Sequence, residues 1–462
     1  MKSRTLVAGF GVLWLAGCAS VPRDAGFGEV QSVVLDRTGR LVQWNRRTTD
    51  DQAVAAKISA MLATDLTADE VVQIALLNNR HLQATFEDLG IAQADLVQAG
   101  LLKNPVFDLS VRFPDRSPPR TYLDIGVAED FLDVALLPAR KQLAAEQFEQ
   151  TKARVTSHVL ALVADASSAF YSYQAARQTV EFDQAIAQAA AASLDVGGKL
   201  HDAGNENDLE YAGRRAQDAQ ARADLADAQA QADEARERVT NAMGLAGSET
   251  QWTAVVRMPD IPPIEINFHD LESVALRQRL DVAVARKEVA IQARTLGLTR
   301  QYRFFQNVNL GPEAERETDG QWRIGPTLSM PIPLFDQGQA TVARAVAVNR
   351  QCQQRLDALE VDVRSQVRAA RTRLLHAREK VILYRDEVLP IQQEVLRQSQ
   401  LHYNGMYIGV FQLLQAKRDQ IDAARHSIEA LRDYWIAVAE LQRAVGGRLE
   451  NIPSTHPTGE KP

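Results

Sequence analysis

Two long stretches of this sequence are rich in alanine and contain little glycine or proline, one from Ala139 to Leu200 and one from Ala340 to Leu401. As continuous helices, each would span roughly 90 Å at about 1.5 Å per residue, which far exceeds the diameter of a globular domain. Such helices need partners along their whole length, and the helix after the second stretch has heptad spacing at Leu414, Ile421 and Ile428. The sequence therefore predicts two long helical hairpins that pack as coiled coils.

The two stretches belong to a larger repeat with an offset of about 200 residues. The matching segments are Ile74-Ala75-Leu76 with Val274-Ala275-Leu276, Ile125-Gly126 with Ile324-Gly325, and Leu200-His201-Asp202-Ala203-Gly204 with Leu401-His402-Tyr403-Asn404-Gly405. Each copy predicts a helix, two strands and a long helical hairpin, and the prolines of Pro259-Asp260-Ile261-Pro262-Pro263 separate the copies. We divide the chain into a signal peptide (1–17), an N-terminal segment (18–65), a first repeat (66–258), a linker (259–266), a second repeat (267–446) and a C-terminal tail (447–462).

The N-terminus has the layout of an export signal. Lys2 and Arg4 precede an apolar stretch of about a dozen residues, which is the length of a signal-peptide core. The stretch ends in Leu15-Ala16-Gly17-Cys18, which resembles a bacterial lipobox, and the next residue is Ala19 rather than aspartate. The resemblance implies lipidation of Cys18, which makes 18–65 a lipidated N-terminal segment, and sorting of the protein to the outer membrane. The alternative is an ordinary secretory signal with a chance cysteine.

Two pairs of segments alternate apolar and polar residues, which is the period of a strand with one apolar and one polar face. They run from Phe107 to Phe113 and from Leu123 to Ala128 in the first repeat, and from Phe304 to Leu310 and from Trp322 to Met330 in the second. We expect the polar stretch from Pro312 to Gly320 to be the loop between the second pair. Strands of roughly nine or ten residues are long enough to cross a bilayer as tilted barrel strands.

Four strands cannot close a barrel by themselves, and lipid does not tolerate open strand edges. Bacterial barrels have at least eight strands in an even number, so three chains with twelve strands would satisfy both conditions. The alternative is a soluble helical protein with two surface hairpins.

The net charge of -7 argues against a nucleic-acid partner. The one apolar run long enough to suggest insertion is the short N-terminal one, which argues against a helical transporter.

Three shorter segments carry predictions of their own. Val33 to Trp44 predicts a small hairpin that turns at Thr38-Gly39. Pro390 interrupts the second long helix and predicts a kink. The tail after Gly446-Gly447 is polar and rich in proline, so we expect it to be frayed.

Several motifs resemble a known family. The run from Gly325 to Gly338 resembles the strand-to-helix signature of the TolC-like outer-membrane efflux family, and Asp130-Phe131-Leu132-Asp133 resembles its divergent copy in the first repeat. Tyr403-Asn404-Gly405, followed by Leu413-Leu414-Gln415-Ala416, resembles the helix-turn-helix tip of the family. The resemblance covers most of the chain from Leu66 to Gly446. Together with the lipobox, it points to the lipoprotein branch that contains CusC-like and OprM-like ducts.

The resemblance implies a mostly α fold with a small β part. Three chains would form a homotrimer with a twelve-stranded transmembrane β-barrel and, from the long helical hairpins, a periplasmic α-barrel. It also implies a passive exit duct for drugs, small toxic compounds or metal ions, which docks to a periplasmic adaptor and to an inner-membrane pump, commonly of the resistance-nodulation-division class. No cofactor, bound metal or nucleic acid is expected. The polar strand residues would line a wet lumen: Asp108, Ser110, Arg112, Asp124, Asn307, Asn309 and Arg323.

The tips of the two helical hairpins are a second expected site. Gly204 and Gly405 lie where the chain leaves each long helix, and glycine there can adopt a positive φ without a Cβ clash. Members of the family often carry aspartates that narrow the entrance, but Phe411 and Leu414 occupy the expected positions in the second tip. The candidates for an acidic ring at the first tip are Asp202, Asp208 and Glu210. Solvated tip charges are the alternative.

Signatures of enzymatic chemistry are absent from the sequence. No HExxH pair, P-loop, GxSxG or Rossmann glycine run occurs, so we expect no catalytic activity. Two other functions remain open, namely the outer-membrane duct of a type I protein secretion system and a periplasmic coiled-coil scaffold lipoprotein. The alternating strands favour a channel, because a scaffold does not need strands with a face suited to lipid.

Overall fold

The computed structural model describes residues 20–46, 48–113, 115, 121–262, 270–304 and 308–448. In this part of the chain the structure is mostly helical with one four-stranded sheet, as the sequence predicted. The chain divides into two compact units, where unit 1 contains Met1–Gly28, Phe86–Val155 and Asp281–Ala358, and unit 2 contains Glu29–Thr85, Thr156–Leu280 and Leu359–Pro462. Cys18 and the tail from residue 449 lie outside the described residues, so lipidation and fraying stay predictions.

The order of helices and strands is duplicated. Two helices come first, α1 (Phe27–Thr38) and α2 (Thr49–Leu62). The first copy consists of α3 (Ala68–Asn78), α4 (Arg80–Ala99), β1 (Val106–Arg112), β2 (Tyr122–Asp130), α5 (Phe131–Asp202) and α6 (Asp208–Met243). The second copy consists of α7 (Leu271–Gln278), α8 (Leu280–Tyr302), β3 (Asn309–Arg316), β4 (Trp322–Ser329), α9 (Gln339–Leu383), α10 (Leu389–Asn404) and α11 (Val410–Val445). This order confirms the predicted tandem duplication.

The duplication extends to packing within unit 2. Asn79 separates α3 from α4, and Arg279 separates α7 from α8. Each break lies against a glycine that ends another helix in the left-handed conformation, Gly244 after α6 with φ 70° and Gly446 after α11 with φ 93°. A Cβ at Gly244 would lie 2.6 Å from the carbonyl oxygen of Asn78, and one at Gly446 would lie 3.1 Å from the Cα of Arg279. Both places therefore need glycine for its φ and for its lack of a side chain.

The core of unit 2 forms where α3 and α6 meet the middle of α5. Its largest fully buried side chains include Ile74, Phe170, Met243 and Trp252. Burial of an aliphatic or aromatic side chain of this size contributes roughly 1.5–3 kcal/mol relative to exposure. The indole nitrogen of Trp252 donates a hydrogen bond of 3.0 Å to the hydroxyl of Thr240, so its polar atom is satisfied inside the core.

The prediction of a hairpin over Val33 to Trp44 is wrong. The first part of this stretch is the end of helix α1, and Gly39, with φ 70°, donates its N–H to the carbonyl of Leu35 and ends that helix. The second part is an extended strap, residues 40–46, that pairs with glutamine side chains instead of a strand. The amide of Gln73 accepts from the N–H of Leu41 and donates to its carbonyl, at 3.3 and 2.8 Å. Gln83 forms the same kind of pair with Asn45 and Gln43.

Pro390 lies at the start of α10, just after a π-helical turn at Tyr384–Val388. Proline has no N–H to donate to the preceding turn, and a wider turn is one way in which a helix adapts to this loss. The structure thus has a π turn just before Pro390, while the kink itself stays a prediction.

The helices of unit 1 meet through aromatic and polar contacts. The rings of Phe27 and Phe86 pack edge to face with centroids 5.1 Å apart. The side-chain amide of Gln150 on α5 donates to the carboxylate of Glu288 on α8 at 2.8 Å. Across all the residues that the structure describes, no helix combines the length and apolarity needed to cross a membrane.

Candidate functional site

The four strands form one antiparallel sheet of unit 1 in the order β1-β2-β3-β4. Ser110 lies opposite Asp124, Asp124 opposite Glu315, and Glu315 opposite Arg323. Residues directly opposite each other lie on the same face of a sheet, so these side chains share one face. By the same alternation, the polar residues of this face are Asp108, Ser110, Arg112, Tyr122, Asp124, Asp130, Asn309, Glu313, Glu315, Arg323, Thr327 and Ser329.

The other face of the sheet is apolar and exposed in the single chain. Phe107 on β1 is 62% exposed, and Ile324 on β4 is 77% exposed. Leu109, Val111, Trp322 and Leu328 lie on the same face and are also exposed. Soluble proteins rarely leave a contiguous apolar patch of this kind uncovered, so the face needs lipid or protein against it.

The prediction for the third strand is wrong in position. β3 covers Asn309–Arg316, so the expected loop from Pro312 to Gly320 is largely strand. The turn is confined to the residues from Glu317 to Gln321, where the N–H of Glu317 donates to the carbonyl of Gln321 at 3.1 Å. The shift brings Glu313 and Glu315, which the sequence analysis missed, onto the polar face beside Asp124. Asn307 lies outside the described residues.

The polar face is tied together by hydrogen bonds and charge pairs. The hydroxyl of Tyr122 donates to the carboxylate of Glu315 at 2.5 Å. The guanidinium of Arg112 lies 5.4 Å from the ring centroid of Tyr122. Arg323 pairs with Glu317 of the turn at 2.5 Å. The carboxylates on this face outnumber the guanidinium groups, so its charge is negative.

The first hairpin tip lies in unit 2 between α5 and α6. Gly204 has φ 73°, and the N–H of Asn205 donates to the carbonyl of Leu200 at 2.8 Å, which is the pattern of a Schellman cap. The left-handed glycine predicted at Gly204 is therefore present. The side chain of Asn207 accepts from the N–H of Glu210 at 2.9 Å and starts α6.

Charged side chains hold the first tip together, which the sequence analysis did not foresee. The guanidinium of Arg214 pairs with Glu206 at 2.6 Å and also donates to the hydroxyl of Ser193. The Glu206 side chain is only 4% exposed, and a Cβ at Gly197 would overlap the Arg214 side chain. Asp208, a candidate for the acidic ring, is fully exposed and lies 2.8 Å from the imidazole of His201. Its role at an entrance stays a prediction.

The second tip, between α10 and α11 in unit 2, differs from the expectation for Gly405. Gly405 has φ -81°, and the residue in the left-handed conformation is Met406 with φ 60°. Glycine fits position 405 for another reason, because a Cβ there would lie 2.8 Å from the ring of Tyr407. Met406 is 93% exposed and Tyr407 82% exposed, and Phe411 is exposed nearby, so this tip presents an apolar surface.

Comparison with known proteins agrees with this architecture. A relative from Cupriavidus metallidurans, the cobalt-zinc-cadmium resistance protein CzcC, is 21% identical over 83% of this chain and 91% of its own length. The fold is similar to that of a Pseudomonas aeruginosa membrane protein, with a TM-score of 0.67 and 20% identity over 82% of this chain and 93% of that one. The fold is also similar to that of the outer-membrane channel OprN, with a TM-score of 0.68 and 18% identity over 94% of this chain and 97% of that one. For CusC the TM-score is 0.67 and the identity 17%, over 83% of this chain and 93% of that one.

The model of one protein family, described as outer membrane efflux protein, matches residues 71–245 and 271–447. The two matched segments contain all four strands and both long helical hairpins, so the match covers the duplicated architecture as a whole. The resemblance seen in the sequence is thereby confirmed, and the chain belongs to the outer membrane efflux protein family.

Proposed function

We propose that three copies of this chain form an exit duct of a tripartite efflux system, with cargo that includes divalent metal cations. The observation that carries the proposal is a sheet with one exposed apolar face, one charged face and two strands, β1 and β4, at its edges. Open edges and an apolar outer face suit a sheet that joins two others in lipid, because closure of a barrel pairs every edge. A scaffold lipoprotein has no use for such a face.

The two tips support docking to a periplasmic adaptor and, through it, to an inner-membrane pump of the resistance-nodulation-division class. Met406, Tyr407 and Phe411 expose apolar surface at the end of the second hairpin, where a monomer gains nothing from it. A partner that covers these side chains removes them from water. At the first tip, the exposed carboxylates of Asp208 and Glu210 offer charged contacts to such a partner.

Docking at the second tip is tested by Gly405→Val. The larger side chain would displace the Tyr407 ring from its place against residue 405, so we expect export to be lost while the trimer remains in the membrane. The matched control is Gly213→Val on α6, because no atom lies within 4 Å of a Cβ at that position. Normal export by the Gly405 variant, or loss of the protein from the membrane, would argue against docking there.

The charge of the polar face supports a cationic cargo. Asp108, Asp124, Glu313 and Glu315 share this face, and a channel wall with negative charge raises the local concentration of cations. The relative CzcC is described as a cobalt-zinc-cadmium resistance protein. Both observations favour metal ions over neutral drugs and over a type I protein secretion substrate.

The test is the conductance of the purified protein in a planar bilayer under a gradient of cobalt chloride. We expect the native duct to prefer the cation, and Glu313→Gln combined with Glu315→Gln to reduce that preference by about twofold or more. The matched control neutralises Asp88 and Asp95, two exposed carboxylates of α4. An unchanged preference in the strand variant would remove the argument for metal cargo.

Failure of a deletion strain to secrete a protein, with normal metal resistance, would favour the type I function.

A further inference from the structure

Unit 2 contains a cavity of about 420 Å³ that the duct function does not use. It lies between the strap after α1, the start of α3, the middle of α5 and the last turns of α11. This volume is within the range of pockets that hold small organic molecules. Its walls combine apolar side chains, such as Val163, Val438 and Ala439, with charged groups from α1, the strap, α3 and the end of α11.

The charged groups are mainly basic. Arg37, Arg40, Arg443 and Arg448 line the cavity, against Asp69 and Glu70. Arg40 donates to the carbonyl of Asp69 at 2.5 Å and pairs with its carboxylate, while Arg443 pairs with Asp165 at 3.0 Å. With Arg40 and Arg443 paired to Asp69 and Asp165, the remaining charged groups of the lining are Arg37, Arg448 and Glu70. They leave an excess of one positive charge, which an anion can balance.

An aromatic pair forms one wall. The ring of Tyr171 stacks on that of Trp435 with centroids 5.5 Å apart and an angle of 19°. The indole N–H of Trp435 donates to the carbonyl of Pro259 at 2.9 Å, so this nitrogen is already satisfied. The wall thus offers a flat apolar surface to an aromatic or short aliphatic group.

The side chain of Tyr171 adds a polar group to this wall of the cavity. Tyr171 is 6% exposed and lines the cavity together with Arg40 and Asp69. Burial raises the pKa of Tyr171, Asp69 raises it further, and Arg40 opposes them, so the hydroxyl stays protonated and able to donate. A protonated phenol in the wall of the cavity can donate a hydrogen bond to an anionic group of a bound molecule.

We propose that this cavity binds a small organic anion, with one carboxylate, sulfonate or phosphate group near the arginines and the Tyr171 hydroxyl, and an aromatic or aliphatic body against the Tyr171–Trp435 wall. Such a ligand would connect the strap to α5 and α11, since all three contribute to the lining. It is distinct from cargo on the polar face of the sheet, which belongs to unit 1.

The test uses the full-length trimer in a non-ionic detergent and measures binding of naphthalene-2-sulfonate by equilibrium dialysis. The matched probe is 2-naphthylmethylammonium, which has a similar body and the opposite charge. We expect saturable binding of the sulfonate and at least about tenfold weaker binding of the ammonium compound, since each tenfold corresponds to about 1.4 kcal/mol. Equal binding of the two probes, or no saturable binding of the sulfonate, would overturn the proposal.

Two variants assign the binding to the cavity. Tyr171→Phe removes only the hydroxyl and should weaken sulfonate binding roughly tenfold, because a hydrogen bond to a charged group is lost. Ala439→Leu fills the cavity and should abolish saturable binding. The control is Tyr434→Phe, which removes a hydroxyl from a neighbouring buried tyrosine that does not line the cavity. If either cavity variant binds as tightly as the native trimer, or if Tyr434→Phe weakens binding equally, the site is not this cavity.

Discussion

Gly311 on β3 shows how one residue decides the pairing of the sheet. A Cβ at this position would overlap the carbonyl oxygen of Val127 on β2, so the two strands approach closely only because residue 311 has no side chain. We expect Gly311→Ala to destabilise the β2–β3 pair by about 1–3 kcal/mol, as overpacking does elsewhere. The loss should appear as a lower melting temperature and fewer trimers recovered from the membrane.

The matched control is Gly325→Ala on β4, the strand that pairs with β3 on its other side. No atom lies within 4 Å of a Cβ at Gly325, so an alanine there has open space. We expect it to leave the melting temperature and the trimer yield close to native. Equal effects of the two alanines would mean that the close approach at Gly311 does not limit the stability of the sheet.

At the scale of elements, one arginine joins the end of α4 to the start of α5 and so positions both strands of the first pair. Arg140 donates to the carbonyls of Ala99 and Leu101 at 3.1 and 2.7 Å, and to the carboxylate of Asp133 at 2.5 Å. Lys103 also pairs with Asp133 at 3.1 Å. Burial works to raise the pKa of Asp133, but the hydrogen bonds from Arg140 and Lys103 outweigh it and leave this pKa below its usual value.

A lowered carboxyl pKa stabilises the fold above the pKa of the unfolded chain, and this contribution is lost as the pH falls through the folded-state pKa. Asp133→Asn should therefore lower the melting temperature at neutral pH, with an effect on the order of 1 kcal/mol. The difference from native should be constant above about pH 5 and should shrink as the pH falls below about 4, the pKa of an unperturbed aspartate, towards the lower folded-state pKa of Asp133. The melting temperature is followed by circular dichroism across this range.

The control for Asp133 is Asp95→Asn, which removes an exposed carboxylate from α4. It should change the melting temperature little at any pH. A difference between Asp133→Asn and native protein that does not shrink at all as the pH falls below about 4 would contradict the ion-pair explanation. The loss of hydrogen-bond geometry, rather than the loss of a charge, would then account for the lower melting temperature.

At the scale of the whole molecule, the edges of the sheet demand partners. β1 and β4 are the edge strands of the described sheet, and each has one row of backbone groups without a strand beside it. We expect native mass measurement in mild detergent to show three chains, roughly 150 kDa in total, because three sheets of four strands make an even barrel of twelve. A stable monomer that retains its full strand content would contradict this expectation.

The sequence predicted some strands well and others poorly, for identifiable reasons. β1 and β2 were located to within a few residues because Phe107, Leu109 and Val111 alternate cleanly with polar residues. β3 was placed about five residues too early, because Pro312 and the glutamates after it are typical of a loop. Pairing with β2 and β4 overrides that local preference and brings Glu313 and Glu315 to the polar face. The same limit applies to α1, where a short alternating pattern was read as a strand.

The sequence by itself determined the class of this protein. The long stretches without helix breakers, the duplicated order of segments and the alternation of apolar and polar residues can all be read along the chain. They predict helices, strands and repeats without knowledge of any tertiary contact. Tertiary structure decided which residues meet. Met406 rather than Gly405 takes the left-handed position at the second tip, and Tyr171 lines a cavity made by segments that are far apart in the sequence. The cavity depends on the packing of distant segments, and the place of Glu313 and Glu315 on the polar face depends on strand register. No local pattern in the sequence encodes either of them.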